Sequence, residues 1–246
     1  MSNPVYWLNG ELTPAVQARL PVNDHGLLYG DGVFEGIRFY NRRPFRLDAH
    51  LDRLQRSARA LMIEPPHGRE EIETAIQALI HAFDSRDGYI RLVLTRGTGG
   101  LGLDPARCER PNLFMIGDKT ELVDAAQRNA GISLKTASVR RPGADVLDPR
   151  IKSLNYLNNI LAKMEARQAG ADEALLLNDR GNVVEGSAEN LFIARGGRLL
   201  TPPVSDGSLD GITRGVVMEV CEQEGIPAGE CSLALNDLYT ADECFL

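Results

Sequence analysis

Residues 118–130 (DKTELVDAAQRNA) are polar and sustain neither helical nor strand periodicity. This seam constrains the fold more than any other feature, because it separates two stretches that each pattern as a unit of their own. At 246 residues the chain has core enough for one large domain or two small ones. We set the linker at 121–130, an N-terminal α+β domain at 1–120 and a second domain at 131–246.

On the N-terminal side, VYWL (5–8), the Asn9-Gly10 turn and an apolar segment near 15–20 predict a β-hairpin. NDHGLLYGDG (23–32) is too rich in glycine and aspartate for a helix or a long strand, and is expected as a loop or broken edge. VFEGIRFY (33–40), a turn and FRL (45–47) predict a second hairpin. Asp48 is the expected N-cap of a helix over 49–62, with Leu51, Leu54, Ala58 and Leu61 inward and Arg53 beside that stripe. A second helix is expected over 69–83, with Ile72, Ile76, Leu79 and Ile80 inward. Strands at 89–97 and 112–117 flank the glycine-rich loop GTGGLGLDP (97–105). The sum is a mostly antiparallel sheet with two helices on one side.

Beyond the seam, ISLKTASV (132–139) predicts a strand ended by Arg140, Arg141, Pro142 and Gly143, and the stretch to Arg150 is irregular. The helical pattern runs over 154–168, with Gly170 as its terminator. EALLLN (173–178), the turn DRGN and NVVEGSAENLFIA (182–194) predict a hairpin. LLTPP, the loop SDGSLDG (205–211) and a helix over 212–225 follow. Asp237 is expected to cap a short turn, and ECFL to begin a strand.

The net charge of −7 argues against nucleic acid or an anionic membrane as partner. Cys108, Cys221, Cys231 and Cys244 form no C-x-x-C pair and have no histidine cluster beside them, so neither a zinc site nor a disulfide framework is expected. No apolar run reads as a signal peptide or membrane span, and a cytoplasmic protein is expected.

Only four lysines occur: Lys119, Lys135, Lys152 and Lys163. Lys152 alone sits at the seam between an irregular stretch and a helical pattern. A cleft there would lower its pKa by desolvation and leave an amine able to form a Schiff base. The plain alternative is a surface lysine. An imine with pyridoxal phosphate needs a carboxylate at the ring nitrogen, a donor at the ring 3-oxygen and an anion site for the phosphate. Glu185 and Glu189 are bracketed by Val183, Val184, Leu191 and Phe192, so one can be drawn inward. Tyr156 follows Lys152 by one helical turn, which lets both side chains reach the same space. Gly211, Ile212 and Thr213 offer backbone N–H groups at a helix start. Arg53 reads on its own as a helix arginine with its stem on the core.

Together YGDGVFEGIRFY, HLDRLQRSA, YIRLVLTRG, GLGLDP, KSLNYLNN, VVEGSAENLF and SLDGITR resemble the class IV aminotransferases, the fold-type IV group of pyridoxal 5'-phosphate enzymes. The resemblance runs from about Trp7 to the chain's end. It implies a two-domain α+β fold like that of D-amino-acid aminotransferase, with a smaller sandwich-like N-terminal domain and a larger β-barrel-like C-terminal one. It also implies a homodimer or higher homo-oligomer. Lys152 would carry the cofactor imine and then shuttle the substrate proton. Glu185, preferred to Glu189 as the first acid of the EGS motif, would face the pyridinium, and Tyr156 would donate to the ring oxygen. Arg53, Gly211, Ile212 and Thr213 would hold the phosphate, and Leu209 would pack on the ring.

Within the family the chain looks most like branched-chain amino-acid aminotransferases. Tyr29, Phe34, Arg38, Tyr89 and Arg91 would line the substrate pocket, and the partners are an amino acid and a 2-oxo acid. No metal is implied. GTGGLGLDP looks like the loop that reaches a neighbouring subunit's pocket. A D-amino-acid transaminase is the rival, because Arg96 falls where that group places a carboxylate-binding arginine. An aminodeoxychorismate lyase and a catalytically silent binding module are the others. Family members continue past the closing strand into a Thr-Gly-Thr-type turn, whereas this chain stops at Cys244-Phe245-Leu246, so the C-terminal domain is expected to be incomplete.

Overall fold

The computed structural model describes residues 5–119 and 130–246. The expected linker lies outside them, apart from Ala130. The chain divides into two compact units. The described residues of Met1–Leu122, joined by Ile151–Asn155, form one; those of Val123–Arg150 with Tyr156–Leu246 form the other. Lys152 therefore clusters with the first unit.

The first unit is built on a six-stranded sheet of β1 (Val5–Leu8), β2 (Glu11–Pro14), β3 (Gly32–Tyr40), β4 (Arg43–Pro44), β5 (Gly88–Thr95) and β6 (Asn112–Asp118). Its order is β2-β1-β6-β5-β3-β4, and every pairing is antiparallel. The opening turn has Asn9 and Gly10 at φ 48° and 112°, the left-handed pair a two-residue hairpin needs. That tight turn makes 11–14 the return strand, rather than the segment near 15–20. Strand alternation sends Val33, Ile37 and Phe39 of β3 and Ile90, Leu92 and Leu94 of β5 to one face. There they meet Leu51, Leu54 and Ala58 of α2 (Leu47–Ala60) and Ile72, Ile76, Leu79 and Ile80 of α3 (Arg69–Ala82).

Three local expectations are corrected. NDHGLLYGDG contains a short helix, α1 (His25–Tyr29). The Asp24 carboxylate caps it by accepting from Gly26 N–H at 2.7 Å, and Gly30 closes it at φ 68°. Asp48 is not an N-cap: α2 begins at Leu47 after Arg46, and the Asp48 carboxylate pairs with Arg69. Leu47 is accordingly helical, and the second hairpin's return strand is only Arg43–Pro44.

The second unit holds two sheets. One pairs β7 (Leu134–Thr136), β8 (Glu173–Leu177) and β9 (Val183–Gly186) in that order. The other runs β12 (Ala228–Glu230), β11 (Arg198–Thr201), β10 (Phe192–Arg195), β13 (Glu243–Phe245). Its helices are α4 (Ala144–Leu147), α5 (Leu157–Gln168), α6 (Ile212–Glu224) and α7 (Leu235–Tyr239). The stretch 182–194 is not one strand. Gly186 N–H donates to Glu189 C=O at 2.7 Å, and that turn separates β9 from β10. Among the described residues no helix is long and apolar enough to cross a membrane.

Candidate active site

Lys152 is not on a helix. Its carbonyl accepts from Phe34 N–H at 3.0 Å, and Leu154 N–H donates to Gly32 C=O at 2.9 Å. An antiparallel bridge joins Val33 to Ser153. The segment thus lies extended along the start of β3, and α5 begins only at Leu157. The one-turn relation between Lys152 and Tyr156 fails for that reason, since tertiary ladder bonds outweigh the local helical pattern. Lys152 N–H also donates to Ser57 Oγ on α2 at 3.1 Å, one helical turn beyond Arg53. Backbone bonds from two elements fix where this lysine leaves the chain.

The Lys152 side chain is half-buried, with Nζ 4.6 Å from the centre of the Phe34 ring. Phe34, Gly36 and Arg38 alternate onto the sheet face away from the core, beside Val93, Arg91 and Tyr89 respectively. The Arg91 guanidinium stacks on Phe34 at 3.7 Å and donates to the Tyr89 hydroxyl at 3.3 Å. A Cβ at Gly36 would collide with that hydroxyl, so the glycine makes room for it. Phe34 is buried, Tyr89 and Arg91 are half-buried and Arg38 is exposed. The face therefore offers an aromatic floor edged by arginines. Tyr29, on α1, accepts from Gly102 N–H at 2.9 Å, tying the glycine-rich loop to its own chain.

Arg53 is 5% exposed, and its Nε and Nη2 each donate to Glu35 at 2.7 Å. His50 Nδ1 meets the same carboxylate at 2.7 Å. Burial alone would push the Glu35 pKa up, but the Arg53 and His50 hydrogen bonds hold it below the ordinary carboxylate value. Every nitrogen of Arg96 has a partner. Its Nε and Nη2 grip Asp31 at 2.9 and 3.1 Å, Nη2 also donates to Leu61 C=O at 2.6 Å, and Nη1 donates to Met62 C=O at 2.8 Å.

In the second unit, Glu185 is buried while Glu189 is exposed. Arg141 Nη2 pairs with Glu185 Oε1 at 2.8 Å. Oε2 accepts from Leu209 N–H at 3.0 Å and from Asn190 Nδ2 at 3.2 Å. Arg141 is itself held, by Asn159 Oδ1 at 3.0 Å and Gly207 C=O at 3.2 Å. Asn190 Nδ2 also donates to Leu209 C=O at 3.0 Å, and a Cβ at Gly211 would collide with its Oδ1. One asparagine thus ties the buried carboxylate to the loop that opens α6. Gly211 is the N-cap of this 13-residue helix, Ile212 its half-buried first residue and Thr213 its exposed second. Tyr156 occupies the N-cap position of α5 and is half-buried.

Taken unit by unit, the groups are of the kind pyridoxal phosphate needs: in the first a half-desolvated lysine, and in the second a buried carboxylate held by Arg141, Asn190 and Leu209 N–H and a helix opening suited to a phosphate. Sequence reasoning did not find Arg141, Asn190, Glu35, His50 or Ser57. A signal existed for Glu35, an acid on the core-facing phase of an apolar strand. Among the described residues no group of acids, cysteines and histidines could hold a metal ion.

The sequence matches the family described as "Amino-transferase class IV" over residues 32–246. It is 50% identical over 240 residues to a Methanocaldococcus jannaschii protein with a provisional branched-chain-amino-acid aminotransferase name, covering 98% of this chain and 82% of that one. It is 35% identical over 244 residues to D-alanine aminotransferase from Bacillus licheniformis, covering 97% and 82%. The fold superposes with a TM-score of 0.92 on branched-chain aminotransferase from Thermoproteus uzoniensis solved with norvaline. That match is at 38% identity and covers 98% of this chain and 82% of the other.

Proposed function

The chain belongs to the class IV aminotransferases, and from that premise we propose that it transfers the amino group of branched-chain L-amino acids to 2-oxoglutarate with pyridoxal 5'-phosphate. The observation that carries the reading is Lys152, whose amine lies against Phe34 on the sheet face that also bears Arg38, Tyr89 and Arg91. We take the two units as the two domains of the fold-type IV architecture, working as a cytoplasmic homodimer or higher homo-oligomer.

When bound, the cofactor supplies an electron sink that acidifies the substrate α-hydrogen. Lys152 Nζ anchors it and, once released as a free amine, takes that proton and returns it. The Glu185 carboxylate keeps a proton on the ring nitrogen. Arg141, Asn190 and Leu209 N–H support this role by giving the buried Glu185 carboxylate three donors. Tyr156 donates to the ring 3-oxygen, and Leu209 packs on the ring. By the family resemblance, Arg53 and the Gly211, Ile212 and Thr213 end of α6 are the groups that would hold the phosphate. Phe34, Tyr29 and Tyr89 give the substrate side chain an apolar wall, while Arg38 and Arg91 attract carboxylates.

The D-amino-acid reading asks for a carboxylate-binding arginine at Arg96, whose nitrogens are all committed to Asp31, Leu61 and Met62. That commitment favours the branched-chain reading. The test is turnover of L-leucine, L-isoleucine, L-valine and D-alanine with 2-oxoglutarate. The L-branched donors should lead. D-alanine as the better donor, or pyruvate release without amino transfer, would contradict the proposal.

A further inference from the structure

We infer that Glu35, aided by His50, is a positioning residue that fixes the Arg53 guanidinium for the cofactor phosphate. The inference rests on Arg53 being a phosphate ligand, as proposed above. In the alternation of β3, Glu35 falls among Val33, Ile37 and Phe39 on the core face, and it is 0% exposed. A carboxylate there carries a large desolvation penalty. Burying such a pair gives little net stability over apolar residues of similar volume, so stability does not account for it.

Orientation does. The two 2.7 Å bonds from Nε and Nη2 fasten one edge of a planar cation, which fixes its plane. The His50 ring closes the other side of Oε2 at 2.7 Å and keeps Glu35 from swinging. An unrestrained arginine surrenders rotamer freedom when it binds an anion, and this fork removes that loss in advance. The same helix carries Ser57, whose hydroxyl holds the Lys152 backbone, so α2 braces the phosphate arginine and the anchoring lysine together.

The test is affinity of the cofactor-free protein for pyridoxal 5'-phosphate and, separately, for pyridoxal, followed by absorbance. Glu35→Gln should weaken pyridoxal 5'-phosphate about 10- to 100-fold while pyridoxal changes less than about threefold. His50→Gln should move the same ratio in the same direction by less. Equal loss for both ligands, or loss for neither, overturns the inference. Arg53→Gln separates the two layers. If it leaves the ratio of affinities unchanged, the phosphate reading of Arg53 fails. If it lowers the ratio and Glu35→Gln does not, only the positioning role fails. In the double variant, loss beyond that of Arg53→Gln alone also overturns it, because a residue acting through Arg53 has nothing left to act on. Should Glu35→Gln not fold, Glu35→Asp, which keeps the charge but shortens the reach of the fork, serves in its place with the same expected loss of ratio.

Discussion

Each unit buries one carboxylate against one arginine, and the two pairs are built in opposite senses. In the first, Glu35 is closed off completely, and its partner Arg53 is held side-on by two of its nitrogens. In the second, Arg141 is pinned by Asn159 and Gly207 and meets Glu185 through Nη2, while Asn190 and a backbone N–H hold the other oxygen. On the proposed assignment, the acid aims the base in one unit and the base supports the acid in the other. A buried ion pair therefore says little about function until the anchored member is known.

Glu185→Gln should have the larger effect on chemistry. It removes the charge at the ring nitrogen, and turnover should fall on the order of 10²- to 10³-fold with cofactor still bound. Turnover within a few-fold of wild type would erase the contrast between the two carboxylates. Arg141→Met leaves Glu185 buried with fewer donors. The loss of stability should be about 3 kcal/mol by denaturant unfolding. An unchanged unfolding midpoint would mean that Asn190 and Leu209 suffice.

The smallest signal is the acid limb of stability. Glu35 sits below its ordinary value of 4.5 in the folded protein. Its contribution is thus present above that value and lost as pH falls through it toward the folded value. Melting temperatures of wild type and Glu35→Gln should lie furthest apart near neutrality and converge as the pH drops through the carboxylate range. A gap that stays constant would deny Glu35 its ionised, paired state.

Much of the frame was legible because it is local. Alternation in VFEGIRFY and YIRLVL places the core of the first sheet, and the Ile72, Ile76, Leu79 and Ile80 stripe marks α3. The parts misread depend on distant partners. Lys152 follows a helical-looking register, yet β3, some 118 residues earlier, draws it out by backbone bonds. Arg141 looks like a strand terminator because nothing near it in sequence reveals Glu185, Asn159 or Gly207. Asn190 stands inside the VVEGSAENLF motif, but its tie to Leu209 exists only after the chain has folded back. Arg96 shows a further limit: its motif suggests a ligand, and nothing near it in sequence reveals that Asp31 and the Leu61 and Met62 carbonyls hold it.

The most direct measurement is reductive trapping. The cofactor-loaded protein is treated with borohydride, digested, and the phosphopyridoxyl group located by mass spectrometry. With only four lysines in the chain, the label should fall on the peptide carrying Lys152 and vanish in Lys152→Ala. A label on Lys119, Lys135 or Lys163, or no label on a protein that still transaminates, would contradict the assignment.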